Sequence, residues 1–125
     1  MQNLLWKETI LIMKNCIDNN TYIAPYMNFL YYSKEIIKTY PKSEDYGIIK
    51  QINYSLYYGL KSLMEFLQES NKNKKSKIFN DFCINIDFIK VLFEISYKSN
   101  YISLNDYKKL ETLIGNIPIK TGELN

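Results

Sequence analysis

SKIFNDFCINIDFIKVLFEISYKSN, residues 76–100, decides the fold, because it is apolar on two sides at helical spacing. At 100° per residue, Phe79, Phe82, Ile86, Ile89 and Phe93 fall within about 80° of one another. Their spacing of 3, 4, 3 and 4 is that of a helix-bundle seam, not the alternation of a strand. A second set, Ile84, Phe88, Val91, Leu92 and Ile95, lies on the opposite side. One bundle core needs one stripe from each helix. The second stripe therefore calls for a central helix or for a surface shared with another chain, and in 125 residues we expect the shared surface.

The same periodicity extends in both directions, and strand-like alternation is hard to find. An amphipathic piece covers about 3–18 and stops at Asn19-Asn20. A helix is expected from Pro25, welcome in a first turn, to Thr39, with Pro41 ending it. Ser43 reads as the cap of the next helix, with Glu44 and Asp45 where the helix dipole favours anions, and this helix should reach about Ser70. Its seam is Ile49, Ile52, Leu56, Leu60, Leu63 and Leu67. The quoted helix is expected to begin near Ser76, which makes NKNKKSK (71–77) a polar elbow. Beyond it, SLND (103–106) reads as a capping box for a last helix that Pro118 stops. Short connections imply antiparallel neighbours. The expected fold is thus all-α, an up-down four-helix bundle over 24–118 with an N-terminal helical extension over 1–20, in a single domain.

Charge is concentrated in one place. The net charge is +3; seven lysines balance seven acids over 1–70, while 71–77 adds four lysines and no acid. All sixteen basic residues are lysine. Tyr, Asn, Ile and Lys are abundant and share AT-rich codons, so an AT-rich genome is expected, whose bias can supply lysines and tyrosines that carry no functional message. On the far side of the third helix, Lys50, Tyr54, Tyr57 and Lys61 lie together, an arrangement that offers charge to phosphates and rings to bases. Alternatively, Tyr54 and Tyr57 pack at a subunit contact and the lysines remain solvated.

Catalytic chemistry is poorly supplied. Histidine is absent, which excludes Glu-x-x-His metal centres and histidine-based triads. The four glycines form no phosphate-binding loop, and Glu65 with Glu69 reads as a solvated face. Cys16 and Cys83 stand 67 positions apart and read as buried free thiols, not as a metal site or disulfide. No apolar run reaches the length of a membrane span, and Lys7, Glu8 and Lys14 interrupt the start as they would not in a signal peptide. A cytoplasmic protein without enzyme activity, cofactor, metal or small-molecule substrate is expected.

Three further marks carry a resemblance. MNFLYYSKEIIKTYPKSEDYG (27–47) ends a helix in an aromatic-proline pair, followed by charges and Tyr-Gly. Two long amphipathic helices follow across a polar elbow. YISLNDYKKLETLIGNI (101–117) then turns into the last helix, with a Tyr four residues after the capping Ser and an Ile-Gly near the end. Over about 26–117 this order resembles the bacterial four-helix-bundle proteins that comprise the accessory variability determinants of diversity-generating retroelements and the proteins encoded in ribosomal RNA intervening sequences. The retroelement branch is the closer of the two, because NYSLYYGLKSL (53–63) stands where the ribosomal branch carries a small-residue run. That resemblance implies a homopentameric, positively charged barrel that associates with a reverse transcriptase and template RNA and assists mutagenic complementary-DNA synthesis. In such a ring the elbow lysines Lys72, Lys74, Lys75 and Lys77 would act with Lys50 and Lys61 on RNA. Ile84, Phe88, Val91, Leu92 and Ile95, with Tyr54 and Tyr57, would form the contact between copies. Two other readings stay open: a protein-interaction scaffold with no nucleic-acid role, and a protein of the ribosomal intervening-sequence type.

Overall fold

Apolar stripes, prolines and asparagines divide the described part of the chain into four helices. In the computed structural model, which describes residues 21–119, these are α1 (Ile23–Ile37), α2 (Ile48–Gln68), α3 (Lys72–Lys98) and α4 (Leu104–Gly115). No strand occurs among the described residues. The amphipathic piece over 3–18, and Cys16 with it, lies outside them. Each helix packs against the next and α4 returns to α1, closing an up-down bundle.

The core runs along the axis: Tyr26 and Phe29 from α1, Ile52, Leu56 and Leu63 from α2, Phe82, Ile86, Ile89 and Phe93 from α3, and Leu110 from α4. Burying each of these side chains contributes about 1.5–3 kcal/mol before chain entropy is set against it. α2 and α3 pack most closely, because α2 turns Ser55, Gly59 and Ser62 towards α3, all three buried. Asn85 Nδ2 donates to the Ser55 carbonyl at 2.8 Å across this seam, and Phe66 meets Phe79 with ring centroids 4.7 Å apart. Tyr26 reaches the same seam from α1 and donates to the Leu56 carbonyl at 2.5 Å. On the other side, Tyr97 and Tyr107 stack at 4.9 Å, and the Tyr32 hydroxyl donates to Asp106 Oδ1 at 3.0 Å to tie α1 to α4.

Several boundaries differ from expectation, each for a local reason. Ser43 caps nothing; it lies in a 3₁₀ turn over Lys42–Glu44. The first turn of α2 is served from that turn instead, since Glu44 Oε2 accepts from the Ile48 amide at 3.4 Å. Glu44 Oε1 accepts from the Tyr101 hydroxyl at 2.9 Å, which fixes the carboxylate. The elbow is shorter than expected: α3 starts at Lys72, because Asn71 Oδ1 accepts from the Lys74 amide at 3.1 Å. At its far end α3 closes through Asn100, whose φ of 64° places it in the left-handed region. The Asn100 amide donates to the Tyr97 carbonyl and the Tyr101 amide to the Ser96 carbonyl, at 3.0 and 2.9 Å. Of the capping box at 103–106, one half forms. Ser103 Oγ accepts from the Asp106 amide at 3.1 Å, while the Asp106 carboxylate is engaged by Tyr32.

Candidate nucleic-acid interface

A surface for single-stranded nucleic acid needs cations for phosphates and exposed rings for bases, and α2 carries both residue types. Lys50, Tyr54, Tyr57 and Lys61 are all exposed on this helix, with Lys50 and Lys61 separated by about 16 Å of helical rise. The tract divides around the helix. Tyr54 stacks on Tyr58, with centroids 6.4 Å apart and planes 15° from parallel, on the side leading to α3. Tyr57 turns towards α1, where the Lys34 ammonium stands 5.1 Å from its ring centroid and donates to Asn53 Oδ1 at 2.6 Å. Lys34 is thus a third cation of this surface, brought in by packing of α1 on α2. Lys61 shares its charge with Glu65 at 4.0 Å, a solvated pair worth little.

The four lysines of 71–77 behave differently. Because α3 begins at Lys72, they sit in its first two turns and fan around the helix instead of forming a flexible loop. Lys75 lies over the Phe66 ring, 5.0 Å from its centroid, and so covers the end of the core. Lys72, Lys74 and Lys77 are exposed. Lys72, Lys74 and Lys75, in the first turn, oppose the helix dipole, whose positive end is here.

Below them on α3, Ile84, Phe88, Val91 and Ile95 are 58, 45, 50 and 47% exposed. Leu92, expected on this face, is 6% exposed and belongs to the core; it lies at the edge of the arc nearest the seam, where contact with the rest of the bundle covers it. In its place the face gains Tyr58, which with Asp81, Ile84, Asn85 and Phe88 lines a shallow recess between α2 and α3. Tyr58 and Lys34 were both hidden from the sequence, because each depends on which helix lies alongside. Cys83 is buried and free, and burial pushes its thiol up to about 11.

Among the described residues no three His, Cys, Asp or Glu side chains gather as metal ligands, and no helix is long and apolar enough to cross a membrane. No family model, curated protein or solved structure matches this chain.

Proposed function

We propose that this protein is a non-enzymatic accessory factor of a diversity-generating retroelement, binding RNA as a homo-oligomer beside a reverse transcriptase. The observation that carries the RNA reading is the α2 surface: Lys50 and Lys61 flanking exposed Tyr54 and Tyr57, with Lys34 added from α1. Such a surface offers point charges to phosphates and ring faces to unpaired bases without selecting a base sequence. The order of motifs along 26–117 supports the retroelement setting.

RNA affinity measured against salt tests the reading. Replacing Lys50 and Lys61 by Gln should lower the slope of log K against log salt by about 1.4, at roughly 0.7 for each phosphate of a single strand that a lysine no longer neutralises. The parallel replacement of Lys72, Lys74, Lys75 and Lys77 separates the helix start from the α2 tract. Wild-type protein that fails to bind RNA, or a slope that the α2 exchange leaves untouched, overturns the reading. The second reading, a protein-interaction scaffold, would then take its place, and the exposed rings of Tyr54 and Tyr57 favour it.

A further inference from the structure

The exposed side of α3 is more ordered than a greasy patch. Asp81, Ile84, Phe88, Val91, Ile95 and Lys98 follow one another at spacings of 3, 4, 3, 4 and 3, within an arc of about 100°. The spacing reads the same from either end, but the charge does not: the stripe opens with an acid and closes with a base. A second α3 laid antiparallel across the first, about a two-fold axis between Phe88 and Val91, brings opposite charges together. Ile84 then meets the partner's Ile95, Phe88 meets the partner's Val91, and Asp81 meets the partner's Lys98 at both ends. A parallel pair would instead set Asp81 against the partner's Asp81 and Lys98 against the partner's Lys98.

The recess on this face fits the same register. Asp81, Ile84, Asn85 and Phe88 are spaced 0, 3, 4 and 7, the four corners of a hole that receives one side chain from a facing helix, and Tyr58 walls it on the α2 side. In the antiparallel register the side chain above this hole is the partner's Ile95. Lys98 is ion-paired with Glu94 at 3.1 Å, but its side chain is largely exposed, so a turn of the side chain brings the ammonium from Glu94 to the partner's Asp81. Asp81 has no ion-pair partner among the described residues.

We infer that the α3 face is an isologous interface in which two copies of this chain pair antiparallel, closed at each end by Asp81 and Lys98. The inference rests on the self-association in the function proposed above, replaces a ring by a two-fold pair, and does not depend on RNA. Light scattering behind size exclusion, across a dilution series, tests it. The expected mass is twice the 14.9 kDa of one chain. Asp81→Lys and Lys98→Asp should each weaken pairing by about tenfold, since two symmetry-related attractions become repulsions, and the double exchange should restore it. Both sites are exposed, so the variants keep the fold, which far-UV circular dichroism checks. Five copies would overturn the two-fold pair and leave self-association standing; a single chain at every concentration would overturn both. Single exchanges that leave the mass unchanged, or a double exchange that fails to restore it, would overturn the register.

Discussion

Gly59 is where three helices converge, and replacing it by alanine measures how tightly. A Cβ at this position would overlap the Tyr26 hydroxyl and stand 3.0 Å from both Tyr26 Cζ and Asn85 Nδ2. Those two groups make the cross-helix bonds to Leu56 and Ser55, so the methyl group presses on both. In an unhindered helix the exchange would gain about 1 kcal/mol of propensity. Here overpacking costs about 1–3 kcal/mol. Displacing a buried hydroxyl from its acceptor costs about 1–3 kcal/mol more. The net expectation for Gly59→Ala is a loss of about 3 kcal/mol in urea unfolding followed by circular dichroism, with an unchanged denaturant slope. Tyr26→Phe removes the obstructing oxygen and alone should cost about 1 kcal/mol. In that background Gly59→Ala should cost at most about 1 kcal/mol, because only the Cζ and Asn85 contacts remain, leaving a coupling of about 2 kcal/mol. Costs that add to within about 0.5 kcal/mol would show that the hydroxyl is not what excludes the methyl, and would refute the close approach of Tyr26 to Gly59 as the reason for glycine there.

Two further outcomes can be checked on the same protein. Replacing exposed Lys72 and Lys74 by Gln should raise stability at low salt by about 0.3–1 kcal/mol each, by removing positive charge from the positive end of α3, and the gain should fade as salt is added; a fall in melting temperature refutes it. Stability should also decline in alkali. Burial holds the Cys83 thiol near 11 instead of 9.0, lifts Tyr40 from 10.0 to about 12 and raises Tyr26 as well, so the folded state keeps protons that the unfolded chain releases. That contribution is complete below pH 9 and is lost as pH rises through these raised values, so a melting temperature flat from pH 8 to 11 would refute it.

Much of the fold was legible because large apolar residues report periodicity directly. The stripe from Phe79 to Phe93 placed α3, and the seam from Ile52 to Leu63 placed α2. What stayed hidden was carried by small or polar residues. Ser55, Gly59 and Ser62 make the face that α2 turns to α3, yet none adds to an apolar count. Asn71 starts α3 and Glu44 serves α2 from four residues upstream, both through side-chain oxygens whose aim depends on the backbone around them. Leu92 shows the limit of angle alone. It shares an arc with Phe88 and Ile95, and only the neighbouring helices move it from surface to core.

The lysines of 71–77 look different once they are helical. On a loose elbow their charge could gather on any ligand, but rigid helix turns point them in separate directions, and Lys75 is already committed to Phe66. A single chain therefore presents no lysine cluster there; it presents a helix start whose charge runs against its own dipole. The α2 tract is the reverse case, with less charge but better order, because Lys34 and Asn53 fix one ring and Tyr58 backs another. The two-fold pairing deepens the contrast. Heads and tails alternate in an antiparallel pair, so in the proposed assembly the two lysine-rich helix starts would lie at opposite ends of the paired α3 helices, each beyond its own Asp81 and the partner's Lys98. In that pair the α2 helices, each alongside its own α3 through Ser55 and Asn85, would run antiparallel on one side. An RNA strand crossing that side would meet the lysine–tyrosine tract twice before it reached either helix start, which is why the α2 substitutions, and not those at 71–77, should set the salt slope.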